Sequence, residues 1–583
     1  MSIGLLTGIF ATRQSAREAR NSEPLEGAVK FNEIAASVAS HRVLTIGAWL
    51  MVLFACLQIL MFPFGHDQGS FAVIADKVLA GGMPYRDAWD IKPPAIFYFY
   101  ALAQYLFGHR MIALRILEVA GLLSLYFPMR TIGAELFSSR MTGLFAWALA
   151  VLAYASSDYW HTGQPDGIGA ILTIWAMAFA IDPAPRVGRA GAWAAMGLLF
   201  GLSFLFKQNL ALSAIPCAAY AGWLEWHRTG MIRRALEPAV IGGMASLAPI
   251  VACIEWFWMR GAWGAMYETS FGLAAGHLAV TWKSAGGIEA GLMPIALKTL
   301  LVFWLRLPAL IQIGLAAALV MRPKVSEGKP AALLLGGMIA LQLVGVAAQA
   351  KFFGYHYTAA VMLCAIAAGA GIAKLWDRCS DAGGPGKLKF ALAVVGLGIA
   401  IPAMRPDVPS MVGLPAFWRR SAIRTEWLLG IGPIRTRDEL DQRLYASYGT
   451  SLVDYRHVAE AIDRMTRADD SIFLWGSESV IYWLAERRPA SRYVYDVPLR
   501  TAWQEDQTRV ILMSELKASP PAIVVIEAGD FVPDIVGNAL DSQQSLQTFP
   551  QLQDFFTTYY KPVTQIGRLF VLRRISSTKK QPG

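Results

Sequence analysis

Apolar runs long enough to cross a bilayer recur along this 583-residue chain, and they constrain its fold more than any other feature. The first covers residues 43–64, and others fall near 112–134, 141–157, 166–181, 190–206, 209–226, 236–258, 292–320, 331–350, 357–375 and 389–404. A transmembrane helix needs about 20 apolar residues, so the runs predict a mainly α polytopic membrane protein with about eleven spans. Residues 95–107 are shorter and rich in aromatics, and they are expected as a helix lying at the interface. Charged residues make up only 16% of the chain, against about 25% in soluble domains.

A formal charge of +10 raises the question of nucleic acid, but the positions of the cations answer it. Arg130, Arg140, Arg186, Arg189, Arg228, Arg233, Arg234, Arg322, Lys324, Lys374 and Arg378 fall in alternate short loops, the positive-inside pattern of a cytoplasmic N-terminus. No nucleic acid partner is expected. Residues 1–40 read as a cytoplasmic tail, 41–404 as the membrane domain, 405–440 as a linker and 441–583 as a soluble domain outside the cell (inner or plasma) membrane. Cys56, Cys217, Cys253, Cys364 and Cys379 are scattered without a CxxC, which fits buried free thiols better than a disulfide framework.

The first external loop, 65–111, carries the densest polar pattern. It opens on His66-Asp67-Gln68-Gly69 and continues through Gly81-Gly82-Met83-Pro84-Tyr85-Arg86-Asp87-Ala88-Trp89-Asp90-Ile91-Lys92-Pro93-Pro94. The orientation set by the basic loops sends other unusual polar residues to the same side. These include Asp158, His161, Gln164, Asp166, Lys207, Glu268, Lys351, Tyr355, His356 and Tyr357, while Arg306 lies in the outer half of its span. Ionisable groups near membrane depth mark functional sites by default, and their convergence predicts one shared cavity.

An acid just after the first span, followed by GG-x-P-Y-x-D-x-W-D-x-K-P-P, resembles the GT-C membrane glycosyltransferases. Within them it is most similar to the bacterial branch related to protein O-mannosyltransferases and aminoarabinose–lipid A transferases. The resemblance weakens beyond about residue 380. It implies transfer of a sugar from a polyprenyl phosphate carrier to an acceptor on the outer face, either lipid A, a cell-envelope polysaccharide or a protein. Asp67 matches the position of the catalytic acid. Many relatives have Asp-Glu there, whereas this chain has Asp67-Gln68.

Such a reaction needs a base for the acceptor hydroxyl, cations for the leaving phosphate and a greasy groove. Asp67 is the candidate base. Lys92, Lys207, Arg306, Lys351, His356 and Tyr357 are candidates for binding the donor phosphate and substrate, and Asp87, Asp90 and Asp166 for a second acid or acceptor contact. A single displacement would invert the anomeric centre. No cofactor is required, because the sugar arrives activated on lipid. A divalent ion between Asp67 and Asp166 stays open, and no dedicated metal site is expected.

Two other readings remain. A flippase for lipid-linked saccharides predicts broken helices and repeat symmetry, and a non-enzymatic scaffold leaves the loop motif without a purpose. Beyond residue 441, β-type runs at 471–475, 492–496, 522–527 and 569–573 alternate with helical patterns near 454–467, 478–487, 502–517 and 548–558. That order predicts a small α/β domain. Trp475-Gly476-Ser477 begins no phosphate-binding motif and reads as a tight strand-to-helix turn.

Overall fold

The computed structural model describes residues 42–182, 188–284, 292–321, 328–381, 414–445, 451–501 and 505–575. The expected tail at 1–40 and the apolar run near 389–404 lie outside them. Chain contacts divide the molecule into two units, residues 1–54 and 55–583, and helix Arg42–Leu60 runs through the boundary. All that follows concerns the second unit.

Among the described residues, six helices are long and apolar enough to span a membrane, and a bent pair taken as one span makes a seventh. Ala95–Phe107, Arg140–Ser156 and Pro165–Ile181 are shorter apolar helices. The protein is therefore mainly helical with several candidate spans, and it is a multi-pass membrane protein by length and composition. Two expected spans differ in detail. Residues 209–226 open as a 3-10 turn, Gln208–Ser213, before helix Ala214–Thr229. Residues 292–320 were expected as one helix but form two, Leu292–Arg306 and Ala309–Met321, bent by 105°. Pro308 sits in the break: it has no N–H to give and its ring excludes the helical conformation of the residue before it.

Within the bundle, helix Thr358–Asp381 packs against Arg140–Ser156 and Ala309–Met321, and Gly188–Phe206 packs against Pro165–Ile181 and Ile232–Met259. The loop expected at 65–111 is largely helical, with His66–Leu79 and Ala95–Phe107 packed on one another through Phe71, Phe97 and Tyr100. Between them the glycine-proline stretch makes a compact turn. Its Tyr85 hydroxyl donates to the Lys92 carbonyl, 2.8 Å, with the ring buried against Phe97 and Phe257.

The C-terminal region holds a five-stranded sheet. Its strands are β1 (Ser471–Trp475), β2 (Arg488–Pro489), β3 (Ile523–Glu527), β4 (Tyr560–Ile566) and β5 (Leu569–Arg574), in the order β2-β1-β3-β5-β4. β1 pairs in parallel with β2 and β3, β5 pairs antiparallel with β3, and β4–β5 is a hairpin. Parallel pairs need crossovers, and Val480–Ala485 and Glu505–Ala518 lie in them. β3 is buried along its length, hence the unbroken apolar Ile-Val-Val-Ile.

The expected strand at 492–496 is absent. Its β-type sequence pairs instead with the first loop: the Trp89 N–H donates to the Arg492 carbonyl, 2.8 Å, and Trp89 forms an isolated bridge with Tyr493. Two helices, Leu414–Leu428 and Arg437–Tyr445, occupy the end of the stretch expected as a linker. The first buries Arg420 and Arg424 against Asp158 of the membrane region.

Candidate functional site

Helix His66–Leu79 starts directly after the first apolar run, with Gly65 as its N-cap. Asp67 lies in the first turn, where the partial positive charge of unpaired backbone N–H groups favours a carboxylate. Gln68 staples that turn in place. Its Oε1 accepts from the Gly65 N–H, 3.0 Å, and its Nε2 donates to the carbonyls of Tyr159, 2.8 Å, and Thr162, 2.6 Å. The position at which relatives were expected to carry a second acid thus faces two carbonyl oxygens. An amide suits that setting and a carboxylate does not.

The stapled segment carries the next partner. Glu118 fixes its turn by accepting from Arg115, 2.8 Å, from the Tyr154 hydroxyl and from the Gly163 N–H. Gly163 takes a positive φ of 68° that favours glycine. Gln164 follows, and its Nε2 donates to Asp67 Oδ2 at 3.0 Å. The Asp67 carboxylate is directed at Gln164 and at Lys92, 3.4 Å away. Burial pushes its proton affinity up. Lys92, His66 and the Gln164 hydrogen bond outweigh that and hold it below the ordinary value.

Three lysines gather around one tyrosine. Lys92 Nζ lies 3.5 Å from the Tyr355 hydroxyl and 5.3 Å from its ring centre. Lys207 Nζ lies 5.7 Å from the same ring and pairs with both oxygens of Asp166, at 2.7 and 2.9 Å. Lys351 lines the cavity beside them, its carbonyl bonded to His356 Nδ1 at 2.8 Å. Burial opposes the charge on all three. Asp67 and Tyr355 overcome it at Lys92, which ends raised, whereas Lys207 stays lowered despite Asp166. Lys351 is lowered to about 7 by burial and by the repulsion of Lys92 and Lys207. Burial brings Asp90 up to about 6 against the attraction of Lys92, and Asp90 Oδ1 accepts the Lys92 N–H at 2.8 Å.

The C-terminal domain supplies the facing wall. β1 runs into the turn Gly476-Ser477-Glu478; a Cβ on Gly476 would lie 2.6 Å from that of Glu527, and the Ser477 N–H donates to Glu527 at 2.8 Å. Burial raises both Glu478 and Glu527. The resulting cavity of about 450 Å³ is lined by Asp67, Asp90, Lys92, Gln164, Lys351 and Tyr355 from the membrane region. Glu478, Tyr495, Glu527, Asp530, Phe531 and Arg568 line it from the domain. Contacts outside the cavity hold the walls together. Ser70 bonds Ser479 at 3.0 Å, His109 stacks on Trp483 at 4.1 Å, and a Cβ on Gly69 would meet the Val480 nitrogen at 2.7 Å.

The other expected residues lie farther out. Arg306, at the helix break, approaches Gly354 and His161: a Cβ on Gly354 would sit 2.7 Å from its guanidinium. Tyr357 stacks on Phe303 at 5.9 Å. Asp87 is not at the cavity. It accepts from the Met83 N–H and from Arg86, which in turn donates to the Arg260 carbonyl, so this pair locks the loop turn. Among the described residues no group of three or more His, Cys, Asp or Glu is placed to hold a metal ion. Gln164 and Tyr355, which the sequence places on the side of Asp67, line the cavity, and Glu478 and Tyr495 join it without being marked by the sequence. The first two stand in polar stretches that the sequence marks, Gln-Pro-Asp and Gly-Tyr-His-Tyr, whereas nothing in the sequence marks the pair from the domain.

Comparison with known proteins agrees with this architecture. Residues 91–256 match the family described as dolichyl-phosphate-mannose-protein mannosyltransferase. The undecaprenyl phosphate-alpha-4-amino-4-deoxy-L-arabinose arabinosyl transferase of Pseudomonas aeruginosa (strain UCBPP-PA14) is 25% identical over 227 residues, 36% of this chain and 39% of that one. The protein of the same name from Erwinia tasmaniensis is 24% identical over 219 residues, 35% and 38% of the two chains. The chain therefore matches about two fifths of the length of these curated relatives. The crystal structure of ArnT from Cupriavidus metallidurans bound to undecaprenyl phosphate superposes with a TM-score of 0.53 at 16% identity, over 92% of this chain and 98% of that one.

The superposition shows that this polytopic membrane protein has the ArnT fold. Together with the family match and the curated relatives, it supports the resemblance to the GT-C membrane glycosyltransferases drawn from the first loop.

Proposed function

We propose that the protein is a membrane glycosyltransferase that moves a sugar from a polyprenyl phosphate carrier to a cell-envelope acceptor on the outer face of the membrane. The observation that carries this reading is the convergence of Asp67 with Lys92, Lys207 and Lys351 around Tyr355, next to a cavity roofed by the C-terminal domain. The relatives' names make an amino-pentose on undecaprenyl phosphate the first donor to test, with lipid A, a polysaccharide or a protein as acceptor.

In this mechanism the acceptor hydroxyl oxygen attacks the anomeric carbon as the bond to the carrier phosphate breaks. The hydroxyl proton passes to Asp67, the bonding pair leaves with the phosphate oxygen, and the anomeric centre inverts. Fixed cations in a water-poor site stabilise the departing phosphate without reorganisation. Lys92 and Lys351 line the cavity from the membrane region and Arg568 from the domain, while Lys207, paired with Asp166, lies beside Tyr355. Lys92 holds down the proton affinity of Asp67. A bound phosphate would share that lysine and raise the basicity of Asp67 when the donor is in place. Gln164 keeps the carboxylate aimed, and no cofactor is called for.

The break at Pro308 is a feature also expected of a lipid-linked saccharide flippase. A purified-protein assay separates the two. Donor lipid and acceptor are incubated in detergent, where translocation has no meaning, and glycosylated acceptor is measured by mass spectrometry. Product is expected. Its absence, together with movement of the same lipid across proteoliposomes, would overturn the transferase reading.

A further inference from the structure

A second cavity lies far from the first. Helices Gly188–Phe206, Ala214–Thr229 and Ile232–Met259 enclose a groove of about 670 Å³ lined by apolar side chains, among them Phe200, Ile215, Trp223, Trp226 and Leu236. Glycines create it. A Cβ on Gly197 would run into the Gly242 backbone, so no side chain fits there and Ile232–Met259 lies close against Gly188–Phe206. Next to that contact Gly243 faces open space, with nothing within 4 Å of where its Cβ would be. Among the described residues only 11% of the apolar window of Ile232–Met259 is buried, which leaves most of that helix open to lipid.

One end of the groove is strongly basic. Trp226 and Ile232 line it on either side of the Gly230 hairpin, and His227, Arg228, Arg233 and Arg234 are exposed next to them. Arg189 and Arg228 share a single buried carboxylate, Glu225, at 2.8 and 2.6 Å, and Arg234 pairs with Glu237 at 2.8 Å. Four arginines thus face two carboxylates, leaving positive charge in excess. Gly188–Phe206 separates this end from Lys207 by its full 19 residues, roughly 28 Å, so the basic end and the catalytic candidate sit at opposite ends of one helix.

We propose that this groove binds an anionic phospholipid, with its acyl chains along the apolar walls and its headgroup phosphate against Arg228 and Arg233. Apolar walls alone would accept any lipid tail. The unbalanced arginines at one end select a negative headgroup, the arrangement by which basic pockets between transmembrane helices hold cardiolipin and related lipids. A two-chain lipid seated there would wedge the hairpin at Gly230 and set the tilt of Ile232–Met259, the most lipid-exposed of the candidate spans.

Native mass spectrometry of the full chain tests this with four probes: phosphatidylglycerol, cardiolipin, phosphatidylcholine and polyprenyl phosphate. The parent protein is expected to retain the two anionic phospholipids at least about tenfold better than phosphatidylcholine. Arg228→Gln with Arg233→Gln should bring that ratio close to one without changing phosphatidylcholine retention. Gly243→Leu, which fills the groove where the backbone has room, should lower retention of all two-chain lipids. If the double variant does not purify as folded protein, Arg233→Gln alone, at a residue outside the Glu225 cluster, reads the same preference. An unchanged preference in the variants would overturn the proposal. So would a loss confined to polyprenyl phosphate, which would assign the groove to the donor chain.

Discussion

Asp67 is held from two sides, by Gln164 at 3.0 Å and Lys92 at 3.4 Å, and both contacts favour its charged form. Asp67→Asn keeps the shape and removes the base, so turnover should fall about 10²-fold or more while donor lipid still binds. Full turnover of the purified variant would take Asp67 out of the chemistry. Lys351 makes the site sensitive to pH. Its proton affinity is depressed to about 7, so it is cationic below that value and neutral above it. Donor affinity measured by calorimetry should therefore weaken between about pH 6 and pH 8. Lys351→Arg should keep binding and abolish the slope, because guanidinium does not titrate there. An unaltered slope in Lys351→Arg would assign the titration to another group. Gln68 gives the opposite kind of expectation. Gln68→Glu points a carboxylate at the Tyr159 and Thr162 carbonyls and removes two donors, which should cost about 2–3 kcal/mol of stability and gain no activity. Thermal unfolding in detergent measures the first effect and the transfer assay the second.

Between residues and whole molecule, the segment 157–164 joins the two walls of the cavity. Asp158 sits at a positive φ of 61°, uncommon outside glycine, and pairs with Arg420 and Arg424, both buried. Asp158→Ala leaves two guanidinium groups without their carboxylate, a change that typically costs about 3–5 kcal/mol. Turnover should drop with it, since Gln164 rides on the same segment. If stability fell while turnover per folded molecule held, Gln164 would be positioned independently of the clamp. This segment also shows where the sequence stopped being informative. The apolar runs, the strand-helix alternation and the polar loop of Asp67 and Lys92 obey local rules of length, period and turn chemistry, and they could be read directly. The 105° break at Pro308 was signalled by a proline, but a long apolar run masked it. Partnerships formed across the fold carry no local signal. Residues 492–496 have a genuine β pattern, yet they pair with Trp89 instead of with the sheet. Arg420 and Arg424 look like surface charges until Asp158 is found beside them.

For the molecule as a whole, the alternation of basic loops in the sequence predicts a cytoplasmic N-terminus and an external C-terminal domain. Reporter fusions after Arg140 and after Gly583 should report cytoplasmic and external locations respectively. A cytoplasmic signal from the second fusion would reverse the assigned face. The cavity's roof belongs to the C-terminal region and its floor to the membrane bundle, and they meet through Trp89–Arg492, Ser70–Ser479 and the Asp158 clamp. Neither wall encloses the cavity by itself. If the proposed reaction holds, a chain that has inserted its spans but not yet seated its roof would leave the carrier phosphate open to water and the acceptor unaligned. Under the proposed reaction, newly made protein would stay idle until the last of its fold closes, and that order of assembly would spare a lipid-linked sugar from stray hydrolysis.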